Sequence, residues 1–69
     1  MTNTMNAILE RVLSEEIAKQ EMQSKKDIAN GSPSRDNIIK EIKDFMKEND
    51  IKFRQDFYLD TIKEIRLNY

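Results

Sequence analysis

The chain has 69 residues, with 12 Lys plus Arg against 13 Asp plus Glu and a formal net charge of −1. It contains no Cys and no His, which excludes disulfides, thiolate or imidazole metal sites, and every nucleophilic triad built on either residue. Charged residues make up 36 % and apolar residues 38 %, so one small core under a well-solvated surface is the expectation. No run approaches the ~20 apolar residues of a membrane span, and no basic segment followed by an apolar stretch opens the chain. The expected location is therefore cytoplasmic.

In chain order, the first helical pattern covers residues 3–29. Its front half carries Met5, Ile8, Leu9, Val12, Leu13 and Ile17 at near-heptad spacing. Its second half, from Ala18 to Asp27, is polar apart from Met22 and reads as a solvent-exposed rod held by the i,i+4 pairs Glu15–Lys19 and Glu21–Lys25. The only Gly and the only Pro then fall together in Asn30-Gly31-Ser32-Pro33-Ser34. Asn30 or Gly31 suits the left-handed position after a helix, and Ser34, or Ser32 with Pro33 behind it, suits the next N-cap.

The second helix is expected over residues 35–48. Ile38, Ile39, Ile42, Phe45 and Met46 share one face, opposite a charged one on which Asp36 and Lys40 form a favourable i,i+4 pair. Asn49 suits the left-handed position of a second break. The third helix is expected over residues 54–68, with Phe57 or Tyr58, Ile62, Ile65 and Tyr69 facing inward and Leu59 and Leu67 pointing elsewhere. The only strand-like alternation, Ile51-Lys52-Phe53, has no second strand to pair with. The fold class is all-α: a long N-terminal helix, a Gly-Ser-Pro turn, then a short antiparallel helical hairpin.

Two short helices cover only part of a long one, and a chain below ~70–80 residues draws little stability from a single core. Surplus apolar surface on the first helix is expected to be covered by self-association as a homodimer, or by another protein. The protein-binding residues expected on this basis are Met5, Ile8, Leu9, Val12 and Leu13. Tyr58 and Leu59 form a second patch, Tyr58 because its hydroxyl suits a polar surface, while Phe53, Phe57 and Tyr69 plug the core.

The function this implies is a small non-enzymatic regulator or adaptor acting by protein–protein binding. A phage- or plasmid-encoded inhibitor of a host protein fits the size and the Ile-, Lys- and Asn-rich composition. The alternative is a dimeric helix-turn-helix DNA-binding regulator, with Lys52, Arg54, Gln55, Lys63 and Arg66 as the nucleic-acid-binding set. Its weakness is charge: Asp56 and Asp60 would face phosphates on the recognition helix, and residues 35–69 are neutral overall. A structural subunit of a larger assembly is the second alternative. Catalysis is not expected, because no carboxylate sits in an apolar run that would raise its pKa and so short a chain lacks volume for a ~300 Å³ pocket. No cofactor, metal or small-molecule substrate is expected either, an EF-hand being excluded by the bases in Asp50-Ile51-Lys52-Phe53-Arg54.

Overall fold

A computed structural model describes the backbone of residues 4–68 and the side chains of residues 5–68. It is all-helical: α1 (Thr4–Ala29), α2 (Asp36–Glu48) and α3 (Gln55–Leu67), with no strand among the described residues. Asn3 and Tyr69, which the sequence reading included in the first helix and the core, lie outside the described residues.

Both connections end their helix in the same way. Gly31 takes the left-handed conformation at φ +82°. The Ser32 N–H then reaches back to the Asp27 carbonyl at 2.7 Å and the Gly31 N–H to that of Ile28 at 3.0 Å. These two bonds close a Schellman motif, which satisfies carbonyls that the helix end would otherwise leave without partners. The second break repeats the pattern with Asp50 in the left-handed position, at φ 54°. There the Ile51 N–H bonds the Met46 carbonyl at 2.8 Å. Asn49 was expected in that role. It stays at φ −107° instead, and its side-chain amide donates to the Phe45 carbonyl at 2.9 Å. Shifting the turn by one residue lets Ile51 fold back beside Met46, and both are buried. Such an apolar contact commonly accompanies this motif.

The helix starts differ more from expectation. Neither Ser34 nor Ser32 caps α2: Arg35 occupies the N-cap position and no side chain of the turn bonds the first helical N–H groups. The Arg35 backbone N–H donates instead to Ser24 Oγ on α1, at 2.9 Å. α3 begins in the same manner, its preceding residue Arg54 donating its backbone N–H to Ser14 Oγ at 2.8 Å. Both serines are buried. Each arginine side chain then returns to an acidic group of α1. Arg35 Nε reaches Asp27 at 2.8 Å and its Nη1 donates to Gln20 at 3.0 Å, while Arg54 Nη1 lies 3.7 Å from Glu10.

α1 is therefore the spine. About 39 Å long at 1.5 Å per residue, it carries α2 against Ile17 and Ser24 and α3 against Ser14. Among the described residues α2 and α3 make no close backbone approach to each other, so both short helices pair with α1 rather than with one another. The Cα trace measures 46 × 26 × 13 Å, a thin body. Its core is correspondingly small. Ile17, Ile39, Met46 and Ile51 form the buried cluster, with Leu9, Leu13, Ile42 and Tyr58 packed against it.

The second half of α1 is not the exposed rod expected from its composition. Ala18 and Ser24 are buried, and Glu16, Gln20, Glu21, Gln23 and Asp27 are half-buried. Short side chains at 14, 18 and 24 let neighbouring backbone come close, and the longer polar ones find partners from α2 and α3. The i,i+4 pairs differ as well: Glu15 meets Arg11 at 3.5 Å, and Lys40 meets Asp44 at 3.9 Å. Thr61 is the one residue of α3 that is fully buried; its hydroxyl bonds the Phe57 carbonyl at 3.0 Å.

Replacing Ser14 or Ser24 by Ala strips a partner from a backbone N–H with almost no change in volume. A loss of about 1–3 kcal/mol is expected from each, read as a lower melting temperature in circular dichroism, while Ser34→Ala stays within about 0.5 kcal/mol. Asp50→Gly removes the steric cost of the left-handed conformation and should raise stability by about 0.5–1 kcal/mol in the same assay.

Candidate protein-binding surface

The apolar front of α1 divides between two sides of the helix. At 100° per residue, Leu9 and Leu13 lean toward Ile17 and pack against the core cluster. Met5, Ile8 and Val12 lie on the far side and are 61 %, 53 % and 50 % exposed. They sit one turn apart, opposite the helix face that receives α2 and α3. No later residue of that face continues the stripe, because Lys19, Gln23 and Lys26 follow in register.

The second expected patch does not form as a unit. Leu59 is exposed, but Tyr58 turns inward. Its ring lies 5.4 Å from that of Phe53, and its hydroxyl donates to the Glu21 carboxylate on α1. A phenol needs one polar partner, and the half-polar α1 face supplies it inside the molecule. Phe53 and Phe57 do not plug the core as expected. Phe53 is exposed, and Phe57 is half-buried beneath two guanidinium groups, Arg11 and Arg54, at 5.2 and 5.1 Å from its ring centre. Arg11 thereby holds the start of α3 against α1 through the electron-rich ring face, while Arg54 stacks on it from within the same segment.

The residues expected to read nucleic acid are placed separately. Lys52, Gln55, Lys63 and Arg66 are exposed, whereas Arg54 is tied to Glu10, to Asp56 at 3.0 Å, and to Ser14 through its backbone. A helix-turn-helix needs its two helices packed on one another so that the second projects. Here the first residues of α3 are pinned to α1 instead.

Two exposed apolar side chains belong to α2 and were assigned to its buried face in the sequence reading. Ile38 and Phe45 are 43 % and 49 % exposed. Five apolar residues on α2 span a wider arc than one neighbouring helix can cover, and α3 stands on the opposite flank. Ile39 and Met46 take the contact with α1, Ile42 is half-buried, and Ile38 and Phe45 are left at the edge. The width of that arc was the available signal.

On the other flank, the gap beside α2 holds a cleft of about 320 Å³ lined by Ile17, Met46, Ile51 and Phe53, with Lys43 and Lys47 at its rim. The short chain was expected to have no room for such a volume. It lies between α1, α2 and the connection that follows α2, whose Ile51 and Phe53 form its far wall. No carboxylate, hydroxyl or amide side chain lines it. Among the described residues no group of His, Cys, Asp or Glu is placed to hold a metal ion, and no helix is long and apolar enough to cross a membrane.

Comparison of the chain with protein-family models, with curated proteins and with solved structures finds no match.

The polar junctions carry the pH dependence. Hydrogen bonds from Arg35 and then Gln23 hold the Asp27 carboxyl below its ordinary value of 3.8, and the Arg54 guanidinium does the same for Asp56. Tyr58 is raised above 10.0, first by its hydrogen bond to Glu21 and then by burial. Depressed carboxyls stabilise the fold above their unfolded pKa and lose that contribution as pH falls through the folded one. A raised phenol contributes fully below its unfolded pKa and loses its share as pH rises through the folded one. Thermal melts should therefore be insensitive to these three groups between about pH 5 and 9, and decline below about 4 and above about 10. Tyr58→Phe should remove the alkaline decline attributable to this phenol and leave the acid one in place.

Proposed function

We propose that this chain is a small cytoplasmic, non-enzymatic regulator or adaptor that acts by binding protein, and that Met5, Ile8 and Val12 of α1 form the centre of its binding surface. The observation that carries the reading is their half or greater exposure on a regular helix, one turn apart, on the side of α1 turned away from the core. An amphipathic helix with anchors at i, i+3 and i+7 is a common mode of helix-in-groove recognition. Leu59, exposed on α3, stands apart from this stripe and is assigned a minor role.

The partner is another protein, a second copy of the chain, or both. Binding by a small rigid helical body acts by occluding or bridging a partner's surface, which suits an inhibitor of a host protein carried by a phage or plasmid. The alternative of a DNA-binding regulator draws no support from the placement of α3, and net neutrality supplies little attraction to phosphates. A permanent subunit of a larger assembly would use the same stripe and differs in being unstable alone.

Ile8→Asp combined with Val12→Asp tests the reading. Both side chains are exposed, so helical content and melting temperature should stay within about 0.5 kcal/mol per substitution of the wild type. In a pull-down from the source organism read by intact mass, proteins or copies of the chain retained by the wild type should be lost with the double variant. Identical retention by the two forms overturns the assignment. A wild-type shift of random duplex DNA at ~50 mM salt and tens of micromolar protein would favour the nucleic-acid reading instead.

A further inference from the structure

The stripe on α1 is small for a lasting interface. Met5, Ile8 and Val12 together expose roughly 300 Å², against the ~800 Å² that each side of a specific complex buries. The geometry extends the surface in one direction. On α2, Lys40 and Lys43 stand on the flank that forms a cleft with Glu21, the α1 residue that Tyr58 of α3 engages. Ile38 and Phe45, one residue before Ile39 and Met46, are rotated 100° to the other flank, away from α3. On α1, Glu10, Ser14 and Glu21 engage α3, and Leu9 and Leu13 lie on the flank away from it. The outer flanks of α1 and α2 therefore face the same way, forming a two-helix surface that α3 does not cover. Its exposed apolar residues are Met5, Ile8 and Val12 on α1 and Ile38 and Phe45 on α2, joined across the half-buried edges of Leu9 and Leu13.

We infer that this α1–α2 face is an interface between two copies of the chain, which stack face to face as an antiparallel four-helix layer pair. Three observations select a second copy as the occupant. With the α1 stripe, Ile38 and Phe45 bring the exposed apolar area to roughly 500 Å² per copy, about 1,000 Å² for a pair before any polar rim is counted, the least that a specific interface needs. Domains bury their apolar faces between packed layers, and α3 covers only one side of the α1–α2 pair, so a second copy supplies cover for the other. The spacing is self-complementary: apolar positions at 5, 9 and 12 read the same way when the helix is reversed within one residue, so a two-fold axis sets apolar residues against apolar ones. Two carboxylates belong to the face: Glu16 at its edge, bonded by the Gln20 amide at 2.7 Å, and Glu41 between Ile38 and Phe45, exposed and set to meet the polar rim of the facing copy.

This inference rests on the protein-binding reading and narrows it to self-association through both helices. Light scattering of the full chain at tens of micromolar should give about twice 8.2 kDa, with a melting temperature that rises with concentration. Phe45→Glu and, separately, Ile38→Glu should each return the mass to one chain with the far-ultraviolet spectrum unchanged. Two exposed positions are used so that a folding defect in one variant leaves the other to decide. A wild-type mass of one chain with a concentration-independent melt overturns the inference and leaves binding to a foreign protein standing. A dimer that survives both α2 substitutions but is lost on Ile8→Asp with Val12→Asp also overturns it, placing self-association on α1 alone.

Discussion

Ser14 and Ser24, buried on one helix, each accept the backbone N–H that precedes a short helix, and the arrangement of the whole chain follows from those two bonds. A cluster of four buried apolar side chains gives adhesion but little register. The hydroxyls give register, because a hydrogen bond tolerates far less displacement than apolar contact does. In both cases the donor residue is an arginine whose side chain returns to an acid of α1, so a directional bond and an ion pair act at the same place. With α2 and α3 each fixed to α1 in this way, the two short helices need no contact with each other.

The helices were legible because their breakers are strong. Gly31 is the only glycine, and its left-handed turn lies where the pattern of polar residues changes. The three-helix, all-α outline follows from that and from the 3.6-residue period of α2. The faces were harder to read. Ser14, Ser24, Ala18 and Thr61 are buried although none of them is a large apolar residue, since what they offer is small size or a hydroxyl. Hydrophobic periodicity registers neither property. The polar half of α1 looked solvated because its partners, Arg35 and the Tyr58 hydroxyl, lie 8 to 37 residues away in sequence from the groups they bond. The apolar front of α1 was visible as a stripe. Its division into a core-facing pair and an outward set depends on where α2 docks, which no pattern within α1 encodes.

The body is thin, 13 Å across its Cα atoms, and this ties its stability to its surface. Helices arranged around a spine cannot enclose the spine on every side. Phe45 and Ile38 on α2 and Met5, Ile8 and Val12 on α1 are part of the remainder once the central contacts are filled, alongside Ile28, Phe53, Leu59 and Leu67. Apolar area exposed on this scale is that of the largest patch on an ordinary monomer, and such patches are often functional. The Arg54 and Tyr58 junctions stand on the opposite, α3-bearing side, so α3 is held on one side of the α1–α2 pair while the other stays uncovered.

That separation bears on the order in which the chain assembles itself. The Ser24–Arg35 bond closes a segment of 11 residues, and the Ser14–Arg54 bond one of 40. By loop-closure entropy the longer segment costs about 1 kcal/mol more to close. The α1–α2 pair is the local, quickly formed unit, and α3 is the late arrival and the first element to detach in a partial opening. Because the uncovered face is built by α1 and α2 alone, it is complete before α3 docks and outlasts its release.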